Sequence, residues 1–123
     1  MQTQSAYSYR NLDTWQDSQG LAAEVIAMIK TMPMDVMSRE ISRQLVRSVG
    51  SAPANIAEGH GRFSKGAFRN HLLIARGSLC EVSSWMDVLR RTDYSPAETG
   101  SRLVSSTDSL ISRITAKARA LAK

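Results

Sequence analysis

The apolar residues between positions 68 and 89 constrain the fold of this chain more than any other feature of its sequence. They recur in alternating steps of four and three residues, as Phe68, Leu72, Ala75, Leu79, Val82, Met86 and Leu89. Such steps keep side chains on one face of an α-helix, because a helix has about 3.6 residues per turn. The spacing predicts a long helix that buries one face in a core.

Two earlier segments show the same periodicity. The first begins at Asp13, where the side chains of Asp13 and Gln16 are spaced for a capping box, and it ends at Pro33. The second runs over residues 35–59, from about Asp35 to Gly59. Both segments therefore predict amphipathic helices that precede the long one.

Capping residues also mark the third and fourth helices. Ser64 can cap the third helix. Ser95, Pro96 and Glu98 give the fourth helix a cap, a proline at the first helical position and an acidic third residue. No segment has the alternation that is typical of a strand. We predict an all-α, antiparallel up-and-down four-helix bundle.

Chain length and composition indicate one domain. The 123 residues fit a single core, and we expect residues 9–123 to form it, with residues 1–8 as a flexible N-terminus. There is no long apolar run and no secretory signal, and Cys80 is the only cysteine. We therefore expect a cytoplasmic protein with no membrane partner.

Pro53 interrupts the second helical segment. It has no N–H to donate to the carbonyl of Val49, and its ring clashes with that carbonyl. The segment either kinks there or divides into two shorter helices. The apolar positions stay in phase from Ile41 to Ile56, so we favour a kink at Pro53.

A polar stripe lies on the second helix, about 115° round from the apolar face. Its members are Gln44, Arg47, Ser51, Asn55, Glu58 and Arg62. It is either a functional constellation or, as we favour, a hydrogen-bond network at the corner between helices 2 and 3 or at a subunit seam. Glu58 has no second titrating group nearby in sequence, and no nucleophile, base and orienting group converge. We predict no enzymatic activity and no catalytic residue.

The excess positive charge is concentrated in the middle of the chain. Residues 39–76 contain seven basic and two acidic residues, and the whole chain has a net charge of +5. Arginine binds phosphate oxygens well. We expect this segment to contact the RNA or DNA backbone through Arg39, Arg43, Arg62, Lys65, Arg69 and Arg76.

The position of two of these residues favours an anion nearby. Lys65 and Arg69 lie at the positive end of the third helix, so a carboxylate from another helix or an external phosphate should offset them. Only Phe63 and Phe68 are aromatic there, so stacking on bases has little support. The alternative function is a protein-interaction scaffold that binds a protein partner through an oligomer face.

Residues 51–62 carry a family resemblance. They read SAPANIAEGHGR, and the segment resembles the small bacterial four-helix-bundle proteins encoded within intervening sequences of 23S ribosomal RNA genes. Tyr9, Leu12 and Trp15 before it look similar to the family as well, as does the later run of Ala75, Gly77, Ser78, Leu79 and Glu81. The motif positions that we expect to be structural or at an interface are Gln44, Arg47, Ser51, Pro53, Asn55, Glu58, Gly59, Gly61, Arg62 and Gly77.

The resemblance implies a homopentamer with no established catalytic activity. A more distant relative, the accessory variability protein of diversity-generating retroelements, is a basic pentamer that binds nucleic acid and a reverse transcriptase. Wide apolar stripes on helices 3 and 4 independently favour packing between subunits.

The remaining chemistry-bearing residues have structural interpretations. His60 and His71 have no cysteine or histidine at ligand spacing, so we expect no metal. We expect Cys80 to pack beside the core of helix 3, and Gly77 to permit close approach of a neighbouring backbone. No pattern indicates a cofactor or a small-molecule substrate.

Overall fold

The structure is a computed structural model that describes residues 7–122. Helix α1 spans Asp13–Thr31, α2 spans Val36–Gly61, α3 spans Lys65–Arg91 and α4 spans Ala97–Leu121. A short 3-10 helix, Tyr9–Asn11, precedes α1. Residues 7–122 contain no strand. The prediction of an all-α four-helix bundle is confirmed.

Polar contacts between helices define the topology. Ser48 of α2 forms a hydrogen bond with Glu81 of α3, and Asn55, later in α2, forms one with His71, earlier in α3. The residue order along α2 is therefore reversed along α3. The same reversal joins α3 to α4 and α1 to α4. Each helix therefore runs antiparallel to its neighbours, and the bundle closes where α1 packs on α4.

All four helices contribute to one apolar core. The largest fully buried side chains are Leu45, Ile56, Leu72, Leu79, Met86, Leu89, Leu103, Ile114, Val25, Val49, Val82 and Thr107. The stripe predicted on α3 is buried from Leu72 onward, while Phe68 is half-buried at the end of the core. None of the described helices combines the length and the apolar character needed to cross a bilayer.

The start of α1 differs from the prediction. Leu12 occupies the N-cap position, and no side chain caps the helix. Asp13 is instead the first helical residue, where its charge complements the helix dipole. The Nε2 group of Gln16 donates to the carbonyl oxygen of Arg10 at 2.8 Å, so the predicted capping box is wrong.

The start of α4 also differs. Pro96 occupies the N-cap position and offers no side-chain hydrogen bond. Ser95 is buried before it, and its Oγ has no hydrogen-bond partner among the described residues. The predicted cap at Ser95 is therefore wrong, and Pro96 lies one position earlier than expected.

Helices α2 and α3 are capped by side chains. The Oδ1 atom of Asp35 accepts from the backbone N–H of Ser38 at 2.9 Å, and Ser38 Oγ accepts from the N–H of Asp35, which completes a capping box. Ser64 Oγ accepts from the N–H of Ala67, so the predicted cap of α3 is confirmed. These two caps fix where both helices begin.

Pro53 lies inside a continuous helix. Helix α2 runs through it from Val36 to Gly61, so the segment is not divided into two helices. Pro53 is buried on the side that faces α1, beside Trp15. The kink stays a prediction.

The predicted flexible N-terminus lies mostly outside the described residues, because the description begins at Tyr7. Ser8 Oγ accepts from the N–H of Arg10 at 3.2 Å and so caps the 3-10 helix. The single-domain boundary at residue 9 stays a prediction.

Candidate nucleic-acid interface

The fold gathers the net positive charge at one end of the bundle. We call this the basic end; it contains the α2–α3 turn, residues 65–80 of α3 and residues 109–122 of α4. Neither of these two helix segments contains an aspartate or a glutamate. Their basic residues are Lys65, Arg69, Arg76, Arg113, Lys117 and Arg119.

At the opposite end, much of the positive charge is neutralised by neighbours. Four basic side chains there form ion pairs, namely Arg90 and Arg91 with Asp87, Arg102 with Glu24, and Arg43 with Glu40. The pairs with Asp87 lower the pKa of its carboxyl below the ordinary value, through hydrogen bonds from Arg90 and Arg91. The two ends of the bundle therefore present different charge to solvent.

Helix periodicity places three arginines along the side of the bundle where α3 meets α4. The Nε group of Arg76 donates to Thr115 Oγ1 at 2.7 Å, which places Arg76 on the face of α3 that meets α4. Arg69 lies two turns earlier on that face, about 10 Å along the axis. Arg119 lies one turn beyond Thr115 on α4. We call Arg69, Arg76 and Arg119 the arginine groove.

Arg69 has an unsatisfied polar atom. Its Nε is buried, and it has no hydrogen-bond partner among residues 7–122. A buried N–H on a cation is costly to leave unpaired. The carboxylates that α1 and α2 bring to this end contact other residues: Asp13 and Asp17 pair with Arg113, and Glu58 contacts Arg62 and His71. An anion from outside the chain is therefore the partner that fits the groove.

The α2–α3 turn adds positive charge beside the groove. Arg62 Nη2 lies 3.8 Å from Glu58 Oε1. Both side chains are more than half exposed, so this ion pair is weak. Lys65 is the first residue of α3, whose first turn contains no acidic residue. The helix dipole is positive there, so it adds to the attraction for an anion.

Two of the six predicted contact residues lie elsewhere. Arg39 and Arg43 are exposed near the start of α2, and Arg39 is about 35 Å from Arg62 along the helix axis. One protomer therefore does not bring all six residues into one surface. Lys117 and Arg119 were missed because they lie in α4, far from the charged middle of the sequence.

Arg113 has a different role from its basic neighbours. Its guanidinium contacts Asp17 at 2.7 Å and Asp13 at 3.5 Å, both on α1. These ion pairs neutralise Arg113 and hold α4 against α1. Arg113 does not contribute to the arginine groove.

Aromatic rings meet at the basic end. A cavity of about 280 Å³ is bordered there by Tyr7, His60, Phe63, Phe68 and Leu121, together with Ser64 and Lys65. We call it the end pocket. Tyr7 is distant from the basic positions in the sequence, and only the fold brings it beside Phe63 and Phe68.

The polar stripe of α2 lies against α3. Ser78 Oγ donates to Ser51 Oγ at 2.9 Å, and Asn55 Nδ2 donates to Ser51 Oγ at 3.0 Å. His71 Nδ1 is 3.0 Å from Asn55 Oδ1 and 3.3 Å from Glu58 Oε2. Both oxygens accept, so Nδ1 carries the proton. These bonds form a network that joins α2 to α3 within one protomer.

Arg47 lies outside this network. It is exposed, and its Nη2 donates to Gln44 Oε1 at 3.3 Å within α2. A partner for Arg47 was expected on another helix, on another subunit or in water. Within the described chain, its contact is instead a local bond one turn away.

The close approach predicted for Gly77 occurs at Gly59. No atom of the described chain outside its own turns lies within 4 Å of a β-carbon built on Gly77, whereas one on Gly59 would be 2.5 Å from His71 Cβ. Gly61 has open space, as Gly77 does. Cys80 is exposed, so its predicted place packed beside the core is wrong; it borders an open cavity between α3 and α4, together with Val104 and Ile111.

A cavity of about 600 Å³ lies between α1 and α4. Its charged groups are already paired: Asp17 contacts Arg113 at 2.7 Å, and Glu24 contacts Arg102 at 3.0 Å. The paired charges offer little to a charged ligand. The basic end is therefore the stronger candidate site.

Comparison with known proteins gives one family and one similar fold. The sequence profile of the 23S rRNA-intervening sequence protein family matches residues 10–116. No curated protein matches the chain. A crystal structure of a protein of unknown function from the S23 ribosomal protein family of Bacteroides thetaiotaomicron is similar in fold, with a TM-score of 0.75 and 24% identity over 84% of this chain and 95% of that chain. The profile match spans most of the bundle, and the chain belongs to the 23S rRNA-intervening sequence protein family.

Proposed function

We propose that this protein is a non-enzymatic, homo-oligomeric bundle that binds the RNA or DNA backbone through the arginine groove. The observation that carries the proposal is the convergence of residues 65–80 and 109–122, which contain no carboxylate. Five of their six basic residues remain once Arg113, which pairs with α1, is set aside. The buried Nε of Arg69, which has no hydrogen-bond partner within residues 7–122, adds a donor that an anion would satisfy.

The chemistry of the groove favours phosphate. Guanidinium groups bind phosphate oxygens through paired N–H donors, and they do so without reference to base sequence. Each phosphate contact releases condensed counterions, so the affinity falls as salt rises. We expect binding that is sensitive to salt and nearly indifferent to sequence.

Exposed apolar side chains support self-association. Ile26, Val46 and Ile74 are 40%, 43% and 45% exposed. Ile26 also borders a cavity of about 490 Å³ between α1 and α2, whose α2 side is lined by Gly50, Pro53, Ala54 and Ala57. Small residues leave room for another helix to approach closely. A ring of five, which the family resemblance implies, would raise the net charge from +5 to about +25.

The second candidate function is a protein-interaction scaffold. The same cavity between α1 and α2 favours it, because an apolar groove of this kind can receive an amphipathic helix from another protein. The two functions differ in where the partner binds. A nucleic acid would bind the basic end, whereas a protein helix would bind the groove between α1 and α2.

The experiment compares two double variants that remove the same charge. Arg69→Gln with Arg119→Gln alters the arginine groove, and Arg39→Gln with Arg43→Gln alters the opposite end. Binding of a labelled duplex is measured by fluorescence anisotropy over a range of salt concentrations. We expect the groove variant to lower the dependence of log K on log salt by about two phosphate contacts. The control variant should bind as the wild type does.

Three results would count against the proposal. Absence of binding by the wild type at low salt would end the nucleic-acid hypothesis. Equal losses in both variants would show that net charge, not the groove, controls binding. A protein partner captured after nuclease treatment, and lost when Ala54→Glu fills the groove between α1 and α2, would favour the scaffold.

Native mass spectrometry tests self-association separately. The wild type should assemble into closed rings. Ala54→Glu and Ile74→Glu each place a charge on a different apolar surface, and the variant that loses the assembly identifies the surface between subunits. A monomer at every protein concentration would contradict the oligomer. The ratio of absorbance at 260 and 280 nm on the same sample reports nucleic acid that copurifies.

A further inference from the structure

The end pocket combines rings from separate parts of the chain. Tyr7 comes from the N-terminal segment, His60 from the last turn of α2, Phe63 from the α2–α3 turn and Phe68 from the first turn of α3. Leu121 of α4 completes the apolar wall. His60 and Phe68 pack edge to face, with ring centroids 5.6 Å apart, and so form an ordered base for the pocket.

Phe63 is held in an unusual position. Its ring is 82% exposed, and its backbone has a φ of 52°, in the left-handed region. The residue that follows the end of a helix often adopts this conformation, and glycine is the residue that does so without strain. Phe63 thus combines strain with a ring that the core does not use. A strained, exposed aromatic residue beside a candidate site is an observation that points to function.

Positive charge surrounds the pocket. Arg62 precedes Phe63, Lys65 follows it by two residues, and the Nζ of Lys117 lies 5.6 Å from the ring centroid of Phe68. Among the described residues, no carboxylate lines the pocket. The arrangement pairs flat apolar surfaces with cations, which are the two features that bind an unstacked base together with its phosphate.

We propose that the end pocket holds an unpaired nucleobase of the bound nucleic acid, with Phe63 stacking on it and Arg62 and Lys65 near its phosphates. This inference rests on the proposed function, because it assumes that the basic end binds a backbone. It adds a preference that the arginine groove alone does not give. A duplex with a single-stranded end binds more tightly than the same duplex with blunt ends.

Charge also argues against a second copy of this end as the occupant. Two basic ends in contact would bring arginine and lysine residues of the same sign together. An unpaired base with its phosphates instead supplies negative charge to the rim and a flat face to the rings. Self-association through the pocket is retained as an outcome of the test.

The test uses three duplexes of equal paired length. One is blunt, one has a short single-stranded overhang, and one has an overhang of abasic nucleotides that keeps the phosphates but lacks the bases. We expect the wild type to bind the base-bearing overhang about tenfold more tightly than the abasic overhang. Phe63→Gly should remove this difference and leave binding to the blunt duplex unchanged, while Phe63→Trp should keep it.

The outcomes separate this inference from the proposed function. If the wild type binds both overhangs equally, or if Phe63→Gly keeps the preference, the inference is overturned while salt-dependent duplex binding still supports the arginine groove. If no duplex binds at all, the proposed function is wrong, and this inference, which rests on it, is overturned as well. If Phe63→Gly changes the native mass of the protein, the pocket is a subunit contact and the inference is wrong.

Discussion

Gly59 of α2 lies against His71 of α3, where a β-carbon on the glycine would stand 2.5 Å from the β-carbon of the histidine and 3.3 Å from the Cα of Phe68. The absence of a side chain lets the two helices approach closely at this point. The approach brings His71 Nδ1 within hydrogen-bonding distance of Asn55 Oδ1, at 3.0 Å. One glycine therefore fixes the spacing of α2 and α3 within the basic end.

Gly59→Ala should destabilise the fold. The added methyl group has backbone and β-carbon atoms in its way, so α2 and α3 must separate, and we expect the free energy of unfolding to fall by about 2 kcal/mol. Urea denaturation followed by circular dichroism measures the change. Gly61→Ala is the control, because nothing lies within 4 Å of its added carbon. If both variants were equally stable, the helices would be farther apart than described.

The helices and the core could be predicted from the sequence, since the apolar period specifies which face is buried. The helix starts were less certain. Asp13 and Ser95 are good capping residues, yet the chain enters α1 and α4 one position away from where those side chains could bond. The sequence also does not show which glycine lies at a helix contact. Gly59 lies on the face of α2 that meets α3, whereas Gly77 lies on a face of α3 that meets no neighbour among the described residues.

The site required the tertiary structure for a similar reason. Arg76 and Arg119 lie in different helices, and only the Arg76–Thr115 hydrogen bond shows that their faces meet. Arg39 and Arg43 belong to the same charged stretch of sequence as Arg62, but about five to six turns of continuous helix keep them far from it. Sequence gives the sum of the charge, whereas the packing of α3 on α4 decides where the charge lies.

Phe63→Gly should raise stability. Glycine adopts a positive φ without strain, and the ring being removed is 82% exposed, so the free energy of unfolding should rise by up to about 1 kcal/mol. Thermal and urea denaturation provide the measurement. Asp93→Gly, at a φ of 63°, is the comparison; aspartate tolerates that region better, so the gain should be smaller. A loss of stability in Phe63→Gly would show that its ring packs within the fold.

Ser18→Ala should also stabilise the bundle. Ser18 is fully buried in α1, and its Oγ has no hydrogen-bond partner among the described residues. Removing an unpaired hydroxyl from a core should raise the free energy of unfolding by about 1 kcal/mol. Ser48→Ala is the matched control, since the same change there removes hydrogen bonds to Gln44 and Glu81. We expect opposite signs from the two variants, and equal effects would contradict the stated difference in pairing.

Asp35 and Tyr94 connect the two turns at the end opposite the basic end. The hydroxyl of Tyr94 donates to Asp35 Oδ2 at 2.6 Å, while Asp35 Oδ1 accepts from the N–H of Ser38 at 2.9 Å. The backbone hydrogen bond from Ser38, and then the bond from Tyr94, lower the pKa of Asp35 below its ordinary value of 3.8. The bond to Asp35 raises the pKa of Tyr94 above 10.0.

The two pKa shifts predict that the free energy of unfolding falls at low pH and again at high pH. Two variants distinguish the two effects. Because the folded pKa of Asp35 is lowered, its contribution is present above pH 3.8 and is lost as pH falls through the folded pKa. Because the folded pKa of Tyr94 is raised, its contribution is present below pH 10.0 and is lost as pH rises through the folded pKa. Asp35→Asn should abolish the acid dependence of the unfolding free energy, since it removes the titrating carboxyl group. It should weaken the alkaline dependence, since the amide oxygen accepts from Tyr94 without a negative charge. Tyr94→Phe should abolish the alkaline one and leave most of the acid one, because Ser38 still donates to Asp35. Urea denaturation across both pH ranges measures these slopes, and a Tyr94→Phe profile that keeps the alkaline loss would show that the hydroxyl does not bond to Asp35.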